Sequence, residues 1–511
     1  MTAQTQLDTL EAKGLVRPVV YRPELEYLFR HWLVQDAAYG SLLKQERREL
    51  HRQVGTALEA LYPERRDELA GTLAMHFEQS ADTDKALEYL VAAGRYALDR
   101  NALQEAFSAY GRAGAILAVT TDAGGEGRKR LRVEVELGRV RAGWSFLSME
   151  AAIEALEAIR PDAEELGDTD LLTPLHLLLA LTRLMGGQPM SDPAVKRSLD
   201  RVTEIGEAIG DPSLRAMPLA LTGLMQVFSG PIRDGVASLE EAVPLMERRQ
   251  DFIGASFARG ALAIGYAQLG EFEKAEAASR DANELAASGD LIAQLDAQIA
   301  ESMLRAARGD LDLAVPLAQK CIDRAEETGA SACVMASSWV LGDALHRQGR
   351  FADARDALQR GNEISMVVDR KVWRPTLQAW LGSTTAALGE DASDAELDSA
   401  LQMARSIDNQ VGEAGILYKR AQAAVSRGEV ARALPDFAAS AQIIETEGMR
   451  PSLARLLREW GLALRSAGRP DEADASLRRA LSLFEELGLS VEAGVVRLEL
   501  SVGPMQMLDP A

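Results

Sequence analysis

Seven glycines recur along the second half of the chain at nearly constant spacing: Gly230, Gly270, Gly309, Gly349, Gly389, Gly428 and Gly468. The steps between them are 40, 39, 40, 40, 39 and 40 residues. A period of this length marks stacked supersecondary units rather than one conventional core. Seven residues before each glycine stand Gly223, Ala263, Ser302, Gly342, Gly382, Ala421 and Gly461, all small. Five residues after it stand Gly235, Ala275, Ala314, Ala354, Asp394, Ala433 and Ala473, and twelve after it Ala242, Ala282, Cys321, Gly361, Leu401, Ser440 and Ala480. The exceptions, Asp394 and Leu401, share the repeat GEDASDAEL, where Ala395 implies a one-residue slip.

A glycine at a helix end supplies the left-handed C-cap without a Cβ clash. Small residues on either side of it let two antiparallel helices approach, and larger ones such as Leu262, Tyr266, Leu269 and Phe272 fill the grooves. One pair cannot bury its own apolar face, so neighbours stack into a solenoid. Abundant alanine with only 5% aromatic residues suits close-packed helices better than a sandwich of sheets. The expected fold is all-α: a right-handed superhelix (α-solenoid) of about nine to ten helix pairs over residues 63–501, with a tail at 502–511. Upstream the register loosens, with Gly143 and Gly187 as approximate turn markers and a compact pair at 84–117. TTDAGGEGRKR (120–130) reads as a mobile loop and SVGPMQMLDPA as a frayed end. Residues 1–62 differ: a helix ending at Gly14, a β-hairpin around Arg22-Pro23, then two helices. Strand is expected in that hairpin alone.

The composition narrows function. A formal charge of −21 opposes a nucleic-acid groove, which needs concentrated basic surface. Cys321 and Cys333 are too few for a disulfide framework and read as reduced, packed thiols. The N-terminus lacks the apolar core of a signal peptide, and the most apolar stretch, Leu171 to Met185, carries Pro174, His176 and Arg183. A cytoplasmic protein with no membrane segment is expected. No G-x-x-x-x-G-K-[ST] loop exists to cradle a phosphate, and AGGEGRKR has the wrong spacing for one. The five histidines (31, 51, 76, 176 and 346) stand apart from one another at non-metal spacing. Acidic pairs at 164–165 and 326–327 read as solvated helix ends, and Lys44, Arg47, Arg48, His51 and Arg52, interleaved with Glu46 and Glu49, as an ion-paired helix face. No catalytic set, cofactor or metal site emerges, so the chain is read as a non-enzyme.

The run AIGYAQLGEFEKA, with small Ala263, Gly270, aromatic Phe272 and Ala275, resembles tetratricopeptide repeats in which each helix is lengthened. Longer units of this kind are similar to the superhelical domain of the bacterial maltose-regulon activator. YLFRHWLVQDAAYGSLL followed by RRELHRQVGTALEALYP resembles the winged-helix to helical-repeat junction of signal-transducing (STAND/AAA-type) ATPase regulators. That resemblance implies the tail of a winged-helix domain at the N-terminus and an inherited nucleotide-sensing position at His31.

Together these features point to a non-catalytic ligand- or protein-binding regulatory arm of a cytoplasmic signalling ATPase, transcription regulator or cyclase. The alternative is a free-standing tetratricopeptide scaffold. The expected partner is a protein or peptide, with a small-molecule inducer as the other candidate and nucleic acid disfavoured. In a tetratricopeptide array the first helix of each pair lines the inner face. Carried onto this register, the inward positions are Leu181, Leu184, Leu224, Val227, Phe257, Ile264 and Met303, an apolar stretch, then Trp339, Asp343, His346 and Arg347, an aromatic platform beside polar groups. Apolar walls with a few polar anchors suit a small molecule or a peptide.

Overall fold

The computed structural model describes residues 3–20, 26–100, 102–119, 125–287, 291–368, 370–390 and 394–501. The turn at Arg22-Pro23, residues 120–124 and the tail from 502 lie outside the described residues; residues 126–130, expected as loop, are instead the first turns of a helix that begins at Glu126. Two compact units result, residues 1–123 and 124–511.

In the first unit, α1 (Ala3–Ala12) leads into the antiparallel strands β1 (Val16–Val20) and β2 (Glu26–Phe29), followed by α2 (Trp32–Ser41), α3 (Lys44–Leu61), α4 (Ala70–Ser80), α5 (Thr83–Asp99) and α6 (Leu103–Val119). Among the described residues these are the only strands. Gly55 of α3 lets the Phe77 ring of α4 approach its backbone, and Phe77 stacks on Tyr89 of α5 at 5.5 Å. On the basic face of α3, Arg52 pairs with Glu49 one turn away, whereas His51 bonds Tyr39 and His76 and Arg47 lies over the Tyr39 ring.

The second unit is helical throughout its described residues. It opens with α7 (Glu126–Ala142), α8 (Met149–Leu166), α9 (Thr169–Met185) and α10 (Pro193–Ala208). Then come α11 (Ala216–Ser229), α12 (Ile232–Arg248), α13 (Phe252–Leu269), α14 (Phe272–Ala286), α15 (Leu291–Arg308), α16 (Leu311–Glu327), α17 (Ser331–Arg347) and α18 (Phe351–Val367). It closes with α19 (Arg374–Ala387), α20 (Asp394–Ser406), α21 (Gln410–Ser426), α22 (Val430–Glu447), α23 (Arg450–Ser466), α24 (Pro470–Glu486) and α25 (Ser490–Ser501). All seven turn glycines take positive φ, from 73° to 89°, between the two helices of a pair. Gly187 does likewise, whereas Gly143 has φ −78° and ends its helix through a 3₁₀ turn. A second series of left-handed turns, which the first register does not reveal, joins one pair to the next: Gly210, Gln250, Gly329, Asp408, Gly448 and Gly488. Gln250 and Asp408 fill positions that elsewhere take glycine, which hides the series in the sequence.

The slip in the GEDASDAEL repeat runs opposite to expectation. Ala395 is exposed, while Leu397 and Ala400 are fully buried, eight and eleven residues after Gly389. Their counterparts in the preceding repeat, Leu358 and Gly361, lie nine and twelve after Gly349. Leu397 also meets Gly382 as Leu358 meets Gly342. The repeat has lost a residue, and its small position falls on Ser393, outside the described residues.

Close approach explains the small positions. A Cβ on Gly223 would lie 2.7 Å from the Gly235 carbonyl oxygen and 2.6 Å from Leu239 Cγ. Gly223→Ala is therefore expected to destabilise the array by about 1–3 kcal/mol, since backbone cannot give way. Gly111→Ala, in α6 with nothing near its Cβ, should instead gain up to about 1 kcal/mol from helix propensity. Urea unfolding of the two variants checks the pair, and effects of equal sign would contradict this packing.

The second unit also meets itself along a seam between early and late repeats. The Glu447 carboxylate at the end of α22 accepts the Ile232 amide at 3.1 Å, capping the start of α12 across 215 residues. Leu487 and Pro451 pack over Gly270, Leu269 packs over Gly448, and Arg455 Nη2 donates to the Ala307 carbonyl at 2.7 Å.

Candidate functional site

Beside the seam lies a partly open cavity of about 910 Å³ within the second unit. Its wall is built almost wholly from the first helices of successive pairs, α9 through α25 in odd-numbered order. One repeating position supplies much of the lining: the residues nine and ten before each turn glycine. These are Gly260 and Ala261, Ile299 and Ala300, Trp339 and Val340, then Trp380, Tyr418 with Lys419, and Arg458 with Glu459. The wall is thus apolar and small on one side, aromatic and charged on the other.

Leu181, Leu224, Phe257, Ile264, Met303, Trp339, Asp343, His346 and Arg347 all line this cavity. Leu184 and Val227 do not. Leu184, 1% exposed, borders a smaller cavity near 190 and 408, and Val227 is buried against the face of α13 at Gly265. One residue turns a helix by about 100°, so the inward-facing neighbours are Met185 and Phe228 instead. His31 belongs to the first unit, exposed as the N-cap of α2, where its Nδ1 accepts the Leu33 amide at 3.4 Å.

The charged side centres on Asp343. Its Oδ1 accepts Trp380 Nε1–H at 2.7 Å and lies 3.6 Å from Lys419 Nζ, and Oδ2 lies 3.7 Å from Arg347 Nη1. Burial alone would raise this carboxyl; the Lys419 ammonium, then Arg347, outweigh it and hold it down at about 2. Lys419 is 2% exposed, its ammonium 4.8 Å from the Trp380 ring centre and 5.6 Å from that of Tyr418. Burial lowers its pKa, against the pull of Asp343 and Glu459. Arg347 is anchored by the Ala306 carbonyl at 2.6 Å. Thr384 Oγ1 gives its single proton to the Trp380 carbonyl at 2.8 Å, so His346 Nδ1, 2.9 Å away, is assigned as the donor to it. Burial, reinforced by Lys419, keeps His346 neutral down to about pH 3 despite Asp343. Trp339 packs edge-on against Trp380 at 5.9 Å and beside Trp373 at 6.0 Å, and its Nε1 has no partner among the described residues.

Sequence reasoning missed Trp380, Lys419, Tyr418, Arg370 and Arg455. Tyr418 occupies the repeat position of Trp339, ten before its turn glycine, and Trp380 and Lys419 that of Val340, nine before, so extending both positions by one and two periods would have found them. Arg455 stands thirteen before Gly468 as Phe257 stands thirteen before Gly270, so the same extension would have found it, whereas Arg370 carries no such signal.

Both cysteines are buried free thiols, and burial raises both. Among the described residues no three His, Cys, Asp or Glu side chains gather as a metal site requires, and no helix is long and apolar enough to cross a membrane.

No family model matches the chain. An uncharacterized protein of Rhizobium meliloti (strain 1021) is 32% identical over 103 residues, 19% of this chain and 10% of that protein. The match thus spans about a tenth of that relative's length. Among solved structures, a Rap protein complexed with competence and sporulation factor superposes with TM-score 0.54 at 13% identity, covering 71% of this chain and 99% of the other. A STAND protein with a tetratricopeptide repeat sensor from Pyrococcus horikoshii reaches TM-score 0.36 at 14% identity, over 76% of this chain and 54% of that one. The fold is that of tetratricopeptide-like helical repeat proteins.

Proposed function

We propose that the chain is a non-catalytic binding module whose inner cavity takes a peptide segment or small molecule. The observation that carries this reading is the cavity itself, within the size range of ligand pockets and lined by apolar walls with a compact polar cluster on one side. Asp343 there is shared by Lys419 and Arg347, and His346 Nδ1 donates to the Thr384 hydroxyl rather than taking its proton, which favours recognition over chemistry. An occupant touching both early and late repeats changes how well the seam closes. That difference in seam geometry is the signal a partner protein reads. The Rap protein similar in fold is described in complex with competence and sporulation factor, which is in keeping with an occupant held inside such a superhelix.

In the fuller form of the proposal, residues 63–501 are the sensor array of a cytoplasmic signalling ATPase or transcription regulator. Residues 1–62 are the joint to its switch, with the two strands as a winged-helix tail and His31 as a relic of nucleotide sensing; 502–511 form a tail. The resemblance of YLFRHWLVQDAAYGSLL to such junctions supports this form.

The test uses N-phenylnaphthylamine, a neutral apolar fluorophore. One saturable site per chain is expected, with energy transfer from the lining tryptophans 144, 339, 373 and 380. Leu224→Trp, which fills the cavity from α11, should weaken it roughly tenfold or more. Binding that does not saturate, or that Leu224→Trp leaves unchanged, would overturn the cavity as a ligand site.

A further inference from the structure

Five cations line the cavity, and four of them meet a carboxylate. Lys419 and Arg347 share Asp343, Arg455 lies 3.1 Å from Glu492, and Arg458 Nε lies 3.0 Å from Glu499. Arg370 is the exception, forming no ion pair with any described residue. It stands four residues before α19 and is 1% exposed, the largest fully buried side chain described in the chain. Its guanidinium carbon lies 4.0 Å from the Trp144 ring centre, and Nη2 donates to the Trp144 carbonyl. Nε and Nη1 have no hydrogen-bond partner among the described residues. Burial presses its pKa down only to about 10, so it stays charged at neutral pH.

A buried guanidinium with unsatisfied donors is costly to keep, and an unpaired charge in a low-dielectric site strongly favours an anion brought to it. Two further carboxylates line the wall and neither forms an ion pair with Arg370: Asp296 lies 3.9 Å from Cys333 Sγ, and Glu459 accepts Gln422 Nε2 at 2.7 Å. We infer that the cavity's occupant is an apolar organic anion whose carboxylate, or comparable oxyanion, pairs with Arg370 while its apolar body lies along Leu224, Phe228, Trp339 and Trp373. This inference rests on the cavity being a ligand site and names the ligand's chemical class.

The test compares two probes with the same rings, anilinonaphthalene sulfonate and the neutral N-phenylnaphthylamine. The sulfonate should bind at least about tenfold more tightly, the scale of one charge-assisted contact. Arg370→Met should erase that preference, so that the two probes bind it with similar affinity. Arg370→Lys, which keeps a charge but shortens its reach, should reduce the preference severalfold and serves if the Met variant does not fold. Equal affinity of the two probes, or a preference that survives Arg370→Met, overturns the inference while neutral-probe binding still upholds the cavity. Loss of neutral-probe saturation, by contrast, overturns the cavity reading itself. Displacement of the sulfonate by decanoate but not decanol assigns the anion to a small acid. Displacement by acetyl-Leu-Leu-Phe but not its amide assigns it to a peptide terminus. Displacement by none of these overturns the inference.

Discussion

Asp343→Ala is expected to destabilise the repeat array by about 3–5 kcal/mol, the largest single-residue effect the structure implies. Its carboxylate is the acceptor for Trp380 and lies beside both Lys419 and Arg347. Removing it takes the nearest counter-ion from the Lys419 ammonium, 2% exposed, and leaves only Glu459, outside ion-pair distance, to offset its burial. The double variant Asp343→Leu with Lys419→Met should recover most of the loss, because an apolar pair of similar volume avoids both desolvation costs. A double-mutant cycle by urea unfolding measures the coupling. A loss below about 1 kcal/mol for Asp343→Ala would mean that Lys419 is solvated, contrary to its placement here.

The second large effect is acid sensitivity. The folded chain keeps the His346 imidazole neutral down to about pH 3, while an unfolded imidazole titrates near 6.5. Between those values the unfolded chain binds a proton that the folded chain refuses. Stability from this group is therefore fully present above pH 6.5 and falls as pH drops towards 3. The groups facing it are Lys419 from α21, Thr384 from α19 and Asp343 on its own helix. A loss of about 1–3 kcal/mol between pH 7 and about pH 4.5 is expected, measured by denaturant unfolding at each pH. His346→Gln, which keeps a donor for Thr384, should flatten that part of the profile. His176, also lowered by burial against the opposing Glu164 bond, keeps its own share in both proteins, so their difference isolates His346. Asp343, held at about 2, loses its contribution only below about pH 4 and does not confuse this window. Identical profiles would contradict the buried, neutral placement of His346.

The repeat was legible because its determinants are local. A turn glycine at positive φ and small residues seven before and five after it are each fixed within one helix pair. The N-terminal strands were legible for the same reason, lying between turn residues close in sequence. The cavity's long-range features were not. The contact of Glu447 with Ile232 spans 215 residues and follows no period. Arg370 lies between α18 and α19, off the repeat register, and its buried state depends on Trp144 from a distant part of the chain. Even within the register, an inward position is decided by about 100° of helix rotation, enough to exchange Leu184 and Val227 for Met185 and Phe228. The repeat that lost a residue shows the same limit, since sequence alone marks a break in pattern without its direction.

The claim that joins these findings is that an occupant of the inner cavity tightens the superhelix across its seam. Hydrogen exchange of the full chain, with and without saturating N-phenylnaphthylamine, tests it directly. Slower exchange in α11, α13, α21 and α23, which line the cavity and flank the seam, is predicted, with α1 to α6 unchanged. Protection spread evenly over the chain, or confined to α1 to α6, would contradict it.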